Sequence, residues 1–131
     1  MASKDTYDNI KLVSTVVPAV NAAATVTGTT VDMVGFESAT LLVNVGAVAG
    51  AGNVTLKLQH SDTTTDGDFV DVPAAQLLGV IPAVLVAATV YKQGYIGAKR
   101  YLRAKGTLNS GTSVAYDASF VLAHARSKPV A

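Results

Sequence analysis

Four aspartates crowd one short stretch of the chain, Asp62, Asp66, Asp68 and Asp71. Closely spaced carboxylates are the raw material of a calcium loop. An EF-hand counted from Asp62 wants oxygen ligands at its first, third and fifth positions and a bidentate Glu at its twelfth. Here the third is Thr64 and the twelfth is Pro73, so the run reads as the solvated tip of a turn. His60 and His124 are the only histidines, and no cysteine accompanies them. A zinc site would have to be completed by carboxylates. His60 continues the apolar face of its segment and reads as a strand-end or interface histidine. No metal and no cofactor is expected.

Two further patterns touch nucleic-acid chemistry. Gly94-Tyr95-Ile96-Gly97, followed by Ala98, Lys99 and Arg100, matches the GXXG of KH loops, but that loop needs helices around it and none is predicted. Tyr91, Tyr95 and Tyr101 in a basic stretch are the ingredients of a base-stacking surface. The net charge of +1 lacks the positive balance such a surface requires. Nucleic acid is therefore not an expected partner. No nucleophile elbow, P-loop or paired-carboxylate pattern appears, and no enzymatic activity is expected.

The elements that position these residues alternate with period two, the mark of half-buried strands. In Asn53 to His60, Val54, Leu56 and Leu58 point one way, and Thr55, Lys57 and Gln59 the other. Ala39 to Val48 places Leu41, Val43 and Val45 opposite Thr40, Leu42 and Asn44, and Ser113 to Ala123 aligns Val114, Tyr116, Ala118, Phe120 and Leu122. Lys99 to Leu108 alternates Leu102 and Ala104 with Arg103 and Lys105. Shorter strands are predicted at Ile10 to Val17, ended by Pro18, and at Thr29 to Val34, Phe69 to Val72 and Val90 to Ile96. Ala49-Gly50-Ala51-Gly52 reads as the turn of a hairpin, and Asn109-Ser110-Gly111-Thr112 as a second turn. The whole predicts an all-β chain with little helix: an antiparallel β-sandwich, jelly-roll-like, of seven or eight strands. Residues 1–9 read as a flexible arm, 10–124 as one domain and 125–131 as a polar tail.

A chain of 131 residues buries roughly two-thirds of its unfolded surface, enough for a core without disulfides. The absence of cysteine fits a reducing compartment. Leu12 to Ala24 mimics a leader peptide, but Asp5 and Asp8 stand where positive charge belongs, and no cleaved signal is expected. The apolar run Ala74 to Val90 is shorter than a bilayer span and holds Gly79 and Pro82, so no membrane is expected as a partner. It reads as a short helix at Ala74 to Leu78, then an extended segment that either covers an open end of the core or meets a partner. Charge is uneven: residues 1–71 hold three Lys/Arg against eight Asp/Glu, a balance of −5, and residues 72–131 hold seven against one, a balance of +6. Separate acidic and basic patches would suit head-to-tail contacts or steered docking.

The order of parts resembles the small decoration, or cement, proteins of tailed-bacteriophage capsids. The resembling segments are a first strand near Tyr7 to Leu12, then GTTVDMVGFESATLLVNVG, the hairpin VTLKLQHSDTTTDGDFVDV and the late strand IGAKRYLRAKGTL, which together span most of residues 7–122. The resemblance implies a β-sandwich that self-associates as a dimer or trimer and binds the outer face of the major-capsid lattice, stabilising the shell. It would be a virion protein of the outer capsid surface, assembled in the host cytoplasm. A carbohydrate- or receptor-binding sandwich is the alternative, with the three tyrosines as its platform. For capsid docking the chain offers Lys92, Lys99, Arg103 and Lys105, with no acid between Asp71 and Asp117, and the apolar residues Val84, Leu85 and Val86. Arg100, on the opposite strand face, and Ile81 are the expected self-contact residues.

Overall fold

The computed structural model describes residues 6–126. Ten strands run in chain order as β1 (Lys11–Asn21), β2 (Thr25–Thr27), β3 (Val31–Asp32), β4 (Phe36–Ala49), β5 (Asn53–Ser61), β6 (Val70–Asp71), β7 (Leu77–Leu78), β8 (Val90–Tyr95), β9 (Tyr101–Ser110) and β10 (Ser113–Ala125). The only helical pieces among the described residues are 3-10 turns at Tyr7–Asn9, Asp66–Asp68 and Ala74–Gln76. Every predicted long strand is present. The strand expected at Thr29 to Val34 is shortened to β3, and two unpredicted pieces, β2 and β7, raise the count from eight to ten, because strands of two or three residues are too brief to show a period.

The strands form two antiparallel five-stranded sheets. One has the order β1-β10-β4-β8-β7; the other has β2-β9-β5-β6, with β3 also on β9. The pairings β1 with β10, β2 with β9, β4 with β8 and β5 with β6 nest outermost with outermost. That is the winding of a jelly roll, in which one long ribbon wraps around a common core. The alternation read from the sequence sets the inward face. Leu41, Val43, Leu102, Ala104, Val114, Ala118, Phe120 and Leu122 are all at most 1% exposed, each facing the opposite sheet.

The Gly-rich loop Ala49 to Gly52 is not a hairpin turn. β4 and β5 lie in different sheets and do not pair; β4 pairs with β10, and β5 with β9. The β4–β5 segment and the β9–β10 segment are thus two long strands paired throughout and folded over together, with Asn53 opposite Ser110 and Ala49 opposite Ser113. Both corners must turn in the same place. Gly50, Ala51 and Gly111 all have positive φ, at 58°, 56° and 83°, and a Cβ on Gly111 would overlap the Ala51 carbonyl and the Gly52 backbone. Period two fixes which side chains face inward but not which strand lies alongside, so the same loop serves a hairpin or a corner equally well.

β1 also departs from expectation. It continues through Pro18 to Asn21, with register shifts between Ser14 and Val16 and between Val16 and Ala19. Pro is tolerated there because β1 is an edge strand, and the irregularity removes the need for its missing N–H. At the same bend the buried Thr15 ties the edge to the second sheet. Its hydroxyl donates to the Thr29 carbonyl at 2.8 Å and accepts the Ala104 N–H at 3.2 Å, while its own carbonyl accepts the Thr29 N–H at 2.7 Å. At the far end β10 runs on to Ala125, opposite Phe36, and the Arg126 N–H reaches the Gly35 carbonyl. Residues 125–126 therefore belong to the sandwich, and Tyr7–Asn9 form a turn. The remainder of the expected arm and tail, residues 1–5 and 127–131, lies outside the described residues.

The corner gives a direct test. Gly111→Ala places a Cβ against backbone at a positive φ and should cost about 2–4 kcal/mol. Gly67→Ala, where a Cβ meets open space, should change stability by about 0.5 kcal/mol or less. Urea unfolding of the two variants separates them.

Candidate functional site

The four aspartates of the acidic tip each find a partner within the chain. Asp62 pairs with Lys99 at 2.8 Å, Asp66 with Arg103, and Asp71 with Lys57 at 3.4 Å and with the Gln59 amide at 3.0 Å, while Asp68 accepts the Thr63 hydroxyl at 2.6 Å. The Arg103 guanidinium holds the Asp66 carboxyl below the usual carboxylate range, and the Gln59 amide does the same for Asp71. Among the described residues no group of three or more His, Asp or Glu is arranged to hold a metal ion.

These pairings also dissolve the separate acidic and basic patches. The acidic loop after β5 folds back over β9, so residues far apart in sequence neutralise one another. Arg103 is the clearest case. It is 6% exposed, its guanidinium sits 4.2 Å from the centre of the Phe69 ring, and its Nε donates to Gln59 Oε1 at 2.9 Å. A cation over an aromatic face, paired and covered, is a structural fastening and is not available to dock a capsid. Lys99 is held by Asp62, and Arg100 makes a two-pronged pair with Asp32, both contacts at 2.8 Å. Arg100 is thus occupied rather than offered to a second copy.

The two remaining expected docking cations face opposite ways. Lys92, on β8, is opposite Leu42 on the outer face of the first sheet. Lys105, on β9, is opposite Lys57 on the outer face of the second. The basic stretch is therefore not one surface. Sequence proximity misled here because Lys92 and Lys105 lie on strands of different sheets.

The apolar segment between β7 and β8 is a strap across the open side of the sandwich. Leu85 is the plug: it is 2% exposed and belongs to the core, so it is not a docking residue. Backbone bonds fix the strap on both flanks, from the Leu85 N–H to the Val54 carbonyl, from the Val45 N–H to the Thr89 carbonyl and from the Ala88 N–H to the Gly46 carbonyl. The Thr55 hydroxyl adds a bond to the Ala83 carbonyl at 2.8 Å. Ile81 is half-buried against the core. Val80, Val84 and Val86 turn outward, exposed by 83%, 45% and 57%. The segment closes the core on one side, as the first of the two readings expects, and presents apolar surface on the other. The expected helix at Ala74 to Leu78 is a 3-10 turn followed by β7.

The tyrosines do not converge on a platform. Tyr95 is 2% exposed in the core. The Tyr91 hydroxyl accepts the Val86 N–H of the strap at 3.2 Å, and Tyr101 lies beneath Arg100 at 5.1 Å. Tyr95 instead joins the two sheets. Its hydroxyl accepts the Lys99 N–H at 3.0 Å and lies 2.8 Å from His60 Nδ1 on β5, with the rings edge to face. An open groove of about 490 Å³ lies at one end of the sandwich, between Met33–Glu37 and Gly97–Arg100. Its rim charges are already paired, as Arg126 with Glu37 at 2.7 Å and Arg100 with Asp32.

No protein-family model matches the chain, and a search among curated proteins finds no match.

Two measurements follow from this geometry. Leu85→Ala removes a plug from the core and should cost about 2–4 kcal/mol by urea unfolding; no loss would detach the strap from the core. His60 is kept neutral mainly by burial, with Lys99 adding to the effect, so its pKa lies below 6.5. The unfolded chain then binds the extra proton first. The stability His60 contributes is complete above pH 6.5 and is lost as pH falls through the depressed value. His60→Gln should flatten the decline in unfolding free energy as pH falls below 6.5, relative to wild type. An unchanged slope would mean that His60 charges freely in the folded protein.

Proposed function

We propose that the chain is a capsid decoration protein, a jelly roll that binds the outer surface of a tailed-phage capsid and stabilises the major-capsid lattice. The observation that carries this reading is the strap. Its outward face, Val80, Val84 and Val86, is apolar, and no charged residue occurs between Asp71 and Lys92. Backbone bonds to β4 and β5 hold it in one shape. A preformed apolar ridge on a rigid scaffold is suited to docking, because little conformational freedom is lost on binding. Repetition over a lattice multiplies a modest contact, since each copy bridging two capsomers gains from the second attachment. The resemblance in strand order and in the hairpin and late-strand segments points to the same role.

The test mixes purified protein with empty capsids of the encoding phage and reads occupancy by cryo-EM density or from particle gels. Val84→Asp with Val86→Asp should lower occupancy at least tenfold while the isolated protein keeps its β-rich circular dichroism and melting temperature. Full occupancy by this variant would remove the strap from the contact. Failure of the wild-type protein to bind capsids at all would overturn the reading, and a glycan array would then examine the carbohydrate- or receptor-binding alternative.

A further inference from the structure

The two outer faces of the sandwich differ in kind. The face of the β2-β9-β5-β6 sheet carries Lys57, Arg103, Lys105 and Asp71 within a few residues of one another. The opposite face, on β1-β10-β4-β8-β7, is nearly free of charge. Strand register lays out its rows. Leu12, Val121, Thr40, Gly94 and Leu78 form one row across all five strands. Ser14, Ser119, Leu42 and Lys92 form the next, and Asp117, Asn44 and Val90 the third. Leu12, Leu78 and Val90 are among the exposed large apolar residues of the protein. Leu42 is half-buried at the centre of the face.

In these rows the only charged residues are one cation, Lys92, and one anion, Asp117. Neither takes part in an ion pair among the described residues, although Asp117 accepts the Asn44 N–H at 3.3 Å. Their strands flank β4, and their rows are two residues apart, so their Cα atoms are separated by about 12 Å. A single cation and a single anion placed this way are self-complementary. A two-fold axis lying between two such faces, perpendicular to the line joining the residues and crossing it midway, carries each onto the other. Both charges are then answered at once, as an isologous contact requires.

We propose that this face is a self-association surface, on which two copies pack face to face with Lys92 of each against Asp117 of the other. Leu42 and Asn44 lie close to the axis, and the small residues Gly94, Ser14 and Ser119 let the two sheets approach. Four strand spacings by the six residue steps from Ser38 to Asn44 give a footprint of about 400 Å² per copy. That is roughly half the 800 Å² of a standard interface, so the dimer is a weak one, formed at high local concentration. The surface is distinct from the strap, and the inference does not rest on the capsid reading.

Sedimentation equilibrium on the isolated protein, from about 1 μM to 1 mM at low salt, tests it without any capsid present. The expected result is a monomer–dimer equilibrium. Lys92→Asp or Asp117→Lys alone should weaken it at least tenfold by setting like charges against each other. The double variant Lys92→Asp/Asp117→Lys should return to within threefold of wild type, because the exchanged charges still meet across the axis. Leu42→Lys, which keeps the Asp117 bond intact and places two lysines near the axis, should abolish the dimer while circular dichroism is unchanged. A wild-type protein that stays monomeric at 1 mM, a double variant as weak as the single ones, or a Leu42→Lys protein that still dimerises would each overturn the proposal.

Discussion

Everything in this molecule hangs on two strands that turn the same corner together. The β4–β5 and β9–β10 segments pair along nearly their whole length, and their chains leave one sheet for the other within a few residues of each other. The corner is possible because glycine stands where backbone must pass against backbone, as at Gly52 against the Ser113 carbonyl and Gly111 against Ala51. Once this folded ribbon exists, its two inner faces are already a core. β1 and β8 add to one half, β2 and β6 to the other, and the nesting of a jelly roll follows from adding each strand to the nearest free edge. Long-range pairing of this sort carries a large loop-closure cost, which apolar burial along both strands offsets.

The edges are closed by different means on the two sides. On one side Thr15 of β1 uses a single buried hydroxyl to hold both the Thr29 carbonyl and the β9 backbone of the other sheet. On the other, the chain itself crosses from β6 to β7 and then returns as the strap, with Leu85 filling the gap. Charge is handled in the same economical way. The acidic loop after β5 folds over the basic strand β9, so cations and anions written far apart in the sequence cancel locally. What is left over is a charged outer face on one sheet and a quiet one on the other.

Most of the architecture was legible in the residues. Period two identified every long strand and the core positions along them, because Leu41, Leu56, Leu102 and Phe120 sit in strict alternation with polar neighbours, but it did not single out Tyr95 or Leu85. Strand partners were not legible, since alternation is blind to what lies alongside; hence the Gly50–Gly52 corner was read as a hairpin. The basic stretch Lys92 to Lys105 looked like one surface because sequence shows distance along the chain only. Arg103 was read as exposed because its parity is outward, and parity gives no sign that Phe69 and Gln59 will cover it. The strap was legible as an anomaly, an apolar run too long for a loop, but which of its residues turned inward was not: Leu85 is buried in the core and Ile81 packs against it, through a backbone whose path has no repeating period.

The register also decides where the chain enters and leaves the sandwich. Lys11 is opposite Leu122, and Ala125 is opposite Phe36, so the described chain begins and ends at one pole, and the glycine corner occupies the other. A peptide or reporter joined at either end of the described segment would be carried from the same pole, with the corner and its interlocked backbones at the far end. That polarity is set by hydrogen-bond register alone, so two passengers fused at the two ends would leave the sandwich side by side.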